Sequence, residues 1–479
     1  MRHLVEVALD DANWCVLAYF LAVNTSYLVL IVVAAVEFGR RLRRLPFNGH
    51  EEATANPLTL PVSVIAPAYN EVVTIVESTR GMLALRYPDF EVVIVDDGST
   101  DGTFEALREA FDLVEVPRAV PDDVPTRVPV RSVHVPRTLG PLVVVRKDNS
   151  GRSDALNVGV NVARNPLVCF VDADSILDPD ALHCVAKPFA DDPERVVASG
   201  GVVRAVNGCG VAAGRVVDVR MPDGWLARVQ IVEYLRAFLL GRTGWSKLRI
   251  LMLISGAFGM FRRDMVVEVG GLDGGCIGED MELVVRLHRH LRARRRPYRV
   301  VFVAEPVSWT EVPASIAVLA RQRRRWARGL AEVLWKHRGI ALNPRFGAVG
   351  VLGLPYYVVF ELLAPFLEVA GVLLVAAGLA LGVVNLWFAG LFLLGAFGYA
   401  LLLSLAALAV EEFSFHRYRR WQDLLVVAAA AVIENLGYRQ LNALWGIQGI
   451  FGALTRRQPV WGVMTRAGFK VAGAGRGVE

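Results

Sequence analysis

Four short apolar runs, at 62–66, 90–95, 143–145 and 167–171, are rich in β-branched residues and separated by stretches of helical pattern. This alternation constrains the fold more than any other feature. Runs of that length and composition read as buried parallel strands, and 74–85, 103–111 and 154–163 read as the intervening helices. A βαβα series gives an α/β fold with a mainly parallel sheet covered by helices. Such sheets bind ligands beyond the carboxyl ends of their strands. Those ends here carry Ala66-Pro67-Ala68-Tyr69-Asn70-Glu71, Asp96-Asp97-Gly98-Ser99 and Asp172-Ala173-Asp174. The segment 116–140, with Pro117, Pro121, Pro125, Pro129 and Pro136, reads as an irregular insertion.

Apolar segments flank this α/β region. The 479 residues have a mean hydropathy of +0.41, and the excess comes from 14–36 and from the region after 346. The first run is long enough to span a bilayer. Asp10 and Asp11 precede it, and Arg40, Arg41, Arg43 and Arg44 follow it. The positive-inside rule then places residue 40 onward in the cytoplasm. Charges before the run and a small-residue cleavage site after it are both lacking, so it reads as an anchor and not a cleaved signal. The stretch 349–381 is broken by Pro355, Glu361, Pro365 and Glu368, which predicts an interfacial half and a spanning half. The stretch 384–410 reads as a span returned to the cytoplasm by Arg417, Arg419 and Arg420. The stretch 424–454 is too short to cross twice, and Glu434, Asn435 and Arg439 within it should face protein or a cavity. Arg456, Arg457, Arg466 and Lys470 place the C-terminus inside. The expected organisation is an anchor (1–45), a cytoplasmic α/β domain (46–345), interfacial and transmembrane helices (346–455) and a cytoplasmic tail (456–479), in a multi-pass protein of the cell membrane.

The pI near 9.0 comes from arginines crowded beside apolar segments, which argues for a lipid bilayer as partner and against nucleic acid. Five cysteines without a Cys-x-x-Cys pair read as reduced and buried.

Asp172 and Asp174 repel each other unless a cation joins them. Mg²⁺ commonly uses one or two carboxylates and completes its shell with water and phosphate, so the pair suggests a metal-diphosphate site. Tyr69 can stack on a base, and Asp97, beside Asp96, can accept from a base N–H. Lys147 and Arg152 lie in a cationic loop before a helix, a setting suited to phosphate. Gly278-Glu279-Asp280 opens a helix whose Leu283, Val284, Leu287 and Leu291 recur at helical spacing, and Asp280 suits a general base. In Gln322-Arg323-Arg324-Arg325-Trp326, Arg325 suits bidentate phosphate contacts and Trp326 sugar stacking. Each motif alone has an ordinary structural reading: a turn, a cap, a solvated loop or a basic helix on a membrane surface.

Together and in this order, the motifs resemble the processive members of glycosyltransferase family 2, the membrane synthases of hyaluronan, chitin, cellulose and poly-N-acetylglucosamine. The resemblance covers about 61–329. It implies a GT-A-like, Rossmann-type nucleotide-sugar domain. It assigns Ala66, Tyr69, Glu71, Asp96, Asp97, Lys147, Arg152 and Asp172 to the nucleotide sugar, and Asp172 and Asp174 to Mg²⁺ or Mn²⁺. Asp280 becomes the base, accompanied by Glu279. Gln322, Arg325 and Trp326 close the catalytic site, and Ser255, Gly256 and Trp326 meet the acceptor. The implied reaction is inverting transfer from a UDP-sugar to a saccharide hydroxyl that builds a β-linked polysaccharide. The alternatives are single transfer to a lipid acceptor and a non-catalytic membrane scaffold or sensor. Arg152 stands where a lysine is common, and the modest C-terminal membrane region leaves polymer export open.

Overall fold

The computed structural model describes residues 2–44, 59–138, 140–212, 214–382, 387, 390–391, 394–415 and 421–455. The main sheet is built from β1 (Val62–Ala68), β2 (Phe90–Asp97), β3 (Leu113–Val116), β4 (Val130–Pro136), β5 (Leu142–Lys147), β6 (Leu167–Val171), β7 (Ile176–Leu177) and β8 (Val196–Ala205). A separate hairpin, β9 (Gly210–Ala212) and β10 (Arg215–Asp218), precedes the last two strands of the main sheet, β11 (Phe258–Arg262) and β12 (Arg299–Thr310). The order in the main sheet is β3-β4-β5-β2-β1-β6-β11-β8-β12-β7.

The four predicted strands form its parallel centre, β5-β2-β1-β6. Successive side chains in a strand point to opposite faces. Ile65, Val93, Val145 and Phe170 accordingly enter one apolar layer, and Val64, Val92, Val144 and Cys169 enter the other. Burial on both faces explains why these strands read as continuous apolar runs. The helix Arg152–Val162 lies close on this centre, since a Cβ at Gly159 would stand 2.2 Å from Ile65 Cγ2.

Residues 117–129 carry no helix or strand, as read, but the structure corrects the rest of the irregular reading of 116–140. Residues 130–136 form a strand next to the sheet edge, antiparallel to β3 and β5. Pro129 and Pro136 flank the strand or sit at its last position, so they do not interrupt its ladder. Strand β11 runs antiparallel between β6 and β8, which places Gly256 just before it near the end of β6.

The helix Glu279–Ala293 opens at the same end of the sheet and is locked to the helix Ile316–Lys336. The two backbones approach at glycines: a Cβ on Gly329 would lie 2.9 Å from Gly278 N and 3.1 Å from Gly278 Cα. Fully buried Glu282 cements the contact. It pairs with Arg286 at 2.8 Å, Lys336 at 2.6 Å and His337 at 3.1 Å. Glu332 adds a bond from the Ile277 amide at 3.1 Å.

Among the described residues, two helices are long and apolar enough to cross a membrane, Trp14–Arg40 and Val349–Gly378. The second begins with Pro355 between π-helical turns at Val349–Gly353 and Val358–Leu362 and bends at Leu363 before the helix Ala364–Leu381. The expected span 384–410 lies partly outside the described residues. So do most of the linker 48–61, the basic positions Arg417, Arg419 and Arg420, and the tail 456–479. Residues 421–454 form two helices, Trp421–Ile433 and Arg439–Leu454, joined through Glu434–Tyr438. Buried Glu434 pairs with Arg236 at 2.5 Å, and Arg439 with Glu368 at 3.2 Å. Arg439–Leu454 in turn braces the Ile316–Lys336 helix: a Cβ on Gly449 would meet Arg324 O at 2.3 Å.

Burial alone would raise the Glu282 carboxyl, but the His337 bond and the charges of Arg286 and Lys336 outweigh it and hold the group below its ordinary 4.5. A depressed carboxylate contributes stability that is present above its unfolded value and lost as pH falls through the folded one. Thermal melting of Glu282→Gln should show a loss of about 3 kcal/mol near neutral pH. The deficit should shrink as the wild type is titrated below 4.5, and a constant deficit across that range would contradict the lock.

Candidate active site

The parallel register of β1, β2 and β5 brings three strand ends together, pairing Ala68 with Asp96 and Asp97 with Lys147. Ala66 is buried inside β1, so only the residues beyond it reach the rim. The Tyr69 ring is 49% exposed there, open to a planar partner. Glu71 opens the turn that leads into the helix Ile75–Leu83, and it accepts from Thr74 Oγ1 at 3.1 Å.

Asp96 and Asp97 are both buried, and their environments differ. Burial raises the Asp96 carboxyl, opposed by its bonds from Ser99 and the Arg146 charge. Asp97 is tied into the 147–151 loop: Oδ1 accepts from Lys147 Nζ at 2.5 Å and Ser150 N at 3.1 Å, and Oδ2 accepts from Gly151 N at 2.9 Å. Lys147 is fully buried, with further contacts to Asp154 at 3.3 Å and Asp148 O at 2.8 Å. This corrects the expectation that Lys147 meets a phosphate. Its ammonium holds the loop, and Asp97 is the anchor of the same knot.

Arg152 is the cation that faces the acids. Its Nε and Nη2 bond Asp172 Oδ1 at 3.2 and 2.8 Å, Nη1 bonds Glu279 Oε1 at 2.7 Å, and Nη2 also reaches Gly256 O at 2.8 Å. Burial alone would lower this guanidinium, but Asp172 and Glu279 outweigh it and hold it above its ordinary value. Burial raises the Glu279 carboxyl against the pull of Arg152, and the neighbouring Asp280 adds to the rise. Asp280 Oδ2 accepts from Gly256 N at 3.0 Å and Oδ1 from Met281 N at 2.8 Å, so two amides orient this carboxylate. A Cβ on Gly256 would sit 3.1 Å from Arg152 Nη2 and 3.4 Å from Asp280 Oδ2. Gly256 thus lets Arg152 and Asp280 approach one strip of backbone. Ser255 beside it lines a cavity of about 10 Å³ with Arg152 and Asp280.

The glycine contact brings Arg325 to the same place. Burial lowers its guanidinium, while Glu279, Asp172 and Asp280 oppose that from close range and Arg152 adds to it. Gln322 Oε1 is buried and accepts no hydrogen bond among the described residues, a costly state that a ligand hydroxyl would relieve. Trp326 is 37% exposed, with the Arg323 guanidinium 4.5 Å from its ring centre. Arg323 is buried and bidentate to Glu233 at 2.7 and 2.6 Å, where a membrane-surface arginine would be solvated.

Among the described residues, no group of three or more His, Cys, Asp or Glu side chains could hold a metal. Asp172 and buried Asp174 supply hard oxygen donors in the number Mg²⁺ or Mn²⁺ takes when phosphate and water complete the shell. The donor set therefore fits an ion arriving with a diphosphate and does not fit an all-protein cage. Chemistry and volume do not coincide. A cavity of about 500 Å³ lies beside β4, lined by Arg118, Asp122, Arg131 and Asn161 among others, away from these acids. Sequence reasoning gave no role to Gly278, Gly329, Glu282, Asp154 or Glu233. A glycine inside a helical pattern, three residues after Trp326, was the available signal for Gly329.

With this geometry in place, the chain can be compared with known proteins. Residues 63–269 match the family described as Glycosyl transferase family 2, and residues 167–410 match Glycosyl transferase family group 2. The poly-beta-1,6-N-acetyl-D-glucosamine synthase of Staphylococcus aureus is 28% identical over 319 residues, 65% of this chain and 63% of that protein. The Staphylococcus epidermidis synthase is 26% identical over 278 residues, 57% of this chain and 55% of that protein. The chain thus spans less than two thirds of these relatives' length. A mannosyltransferase from Pyrobaculum calidifontis, solved with GDP-Man and Mn²⁺, is 22% identical with a TM-score of 0.51, covering 88% of this chain and 99% of that one. It shows a shared GT-A-like fold. The second family match takes in more than half of the sequence, and the chain belongs to family 2 of the glycosyl transferases.

Proposed function

We propose that this protein is a membrane-bound inverting glycosyltransferase that moves a sugar from a UDP-sugar to an acceptor hydroxyl and builds a β-linked polysaccharide. The observation that carries this reading is the convergence on Gly256. Its carbonyl accepts from the arginine that holds Asp172, and its amide orients Asp280. A phosphate-side acid and a candidate base are therefore linked through the Arg152 guanidinium and one residue, Gly256. Relatives described as poly-beta-1,6-N-acetyl-D-glucosamine synthases favour a polymer as product. The two apolar helices favour a bilayer, with the α/β domain on the cytoplasmic side.

In the proposed step the acceptor oxygen attacks the anomeric carbon from the face opposite UDP. The carbon–phosphate-oxygen bond breaks, its electron pair leaves with UDP, and the acceptor proton passes to Asp280. A divalent ion bound at Asp172 and Asp174 would neutralise charge on the departing diphosphate. Arg325 stands ready for the same charge, and Trp326 offers a ring face to the acceptor sugar. Tyr69 stacks on the uracil. Asp97 acts on the nucleotide indirectly, by fixing the 147–151 loop.

Two measurements test this. The purified full chain in lipid should release UDP from one UDP-sugar in a screen with and without Mg²⁺ or Mn²⁺, and the labelled product should be long. A short extractable glycolipid would replace the polymer reading, and no UDP release under any condition would sink the enzyme reading. Separately, Asp280→Asn should leave UDP binding within about twofold and lower transfer by about a thousandfold, whereas Asp174→Asn should abolish metal-dependent UDP binding. Equal loss of binding in both variants would contradict the division of roles.

A further inference from the structure

We infer that Arg152 is an internal counter-cation that occupies Asp172 until a metal-diphosphate arrives, so that the resting protein binds a divalent ion weakly and UDP makes that binding strong. This rests on the metal reading of Asp172 and Asp174 and adds an order of events to it. The guanidinium places two donors on Asp172 Oδ1 and a third on Glu279. Its side chain is largely buried, at 19% exposure, and the apolar residues Leu156, Phe170 and Phe261 line the small cavity beside it. In such surroundings a fixed positive charge a few ångströms away strongly disfavours a second cation. The charge that a metal would neutralise is already neutralised from within the fold.

A diphosphate changes that balance. Its negative charge offsets the guanidinium and supplies further oxygens to the ion, so metal and nucleotide enter as one unit. Yielding Asp172 loosens one of the three carbonyl or carboxylate partners Arg152 holds. Another is Gly256 O, in the same residue whose amide fixes Asp280. Arg152 is thus a positioning residue linking donor occupancy to the base.

Mn²⁺ binding to the full chain in lipid, read by electron paramagnetic resonance with no nucleotide, tests the inference. Arg152→Gln should bind Mn²⁺ at least about tenfold more tightly than wild type, and Arg152→Lys should fall between them. The Arg152→Gln, Asp172→Asn double variant should lose the gain. Mn²⁺ should raise the melting temperature of Arg152→Gln without UDP and leave the wild type unchanged, which also reports whether the variant folds. Equal Mn²⁺ affinity in wild type and folded Arg152→Gln would overturn the counter-cation. Failure of wild type to bind Mn²⁺ with UDP present would instead overturn the metal reading on which it rests.

Discussion

The backbone approach of Gly278 to Gly329 is the contact on which the rest of the site depends. It joins a helix that begins with two acids to a helix that carries Gln322, Arg325 and Trp326, although some forty residues of sequence separate them. No side chain fits between the two strips of backbone, because a Cβ at Gly329 would stand 2.9 Å from Gly278 N. The fold encloses this contact with the buried Glu282 network and braces it from behind with Arg439–Leu454. The C-terminal apolar region is therefore part of the site's support, since it holds the back of the helix whose front faces the acids.

Electrostatics explains why so many acids can share that space. Asp97 pairs with Lys147, Asp172 and Glu279 share Arg152, and Glu282 pairs with Arg286 and Lys336. Buried charges without such partners would each cost several kcal/mol. The carboxylates of two of these knots, Asp97 and Glu282, are buried, whereas the Arg152 knot borders Gly256 and Asp280. The same chemistry, a cation bonded to carboxylates, thus makes scaffold in one place and the candidate active site in the other.

Much of this architecture was legible in the sequence. The four central strands and their helices follow from β-branched runs that are buried on both faces, and the strand ends carry the acids that the pattern singled out. The helix opened by Glu279 was legible from its leucine and valine spacing. Other features were not. The strand 130–136 was hidden by its flanking prolines, and the antiparallel β11 by a register that only tertiary pairing sets. Lys147 looked like a loop cation because its buried partners, Asp97 and Asp154, are distant or ambiguous in sequence. Arg323 and Arg325 sit two residues apart in one basic run, yet one faces Glu233 and the other the acids. Helical rotation separates them, and composition carries no record of which face is buried.

The central claim is that the glycine contact delivers Arg325 and Trp326 to Asp280 and Asp172. UDP release by Gly329→Ala in lipid, beside wild type and with circular dichroism confirming the fold, tests it most directly. A displacement of the helix by about an ångström should lower turnover by about a hundredfold while UDP binding changes little. A folded Gly329→Ala protein that releases UDP at the wild-type rate would contradict it.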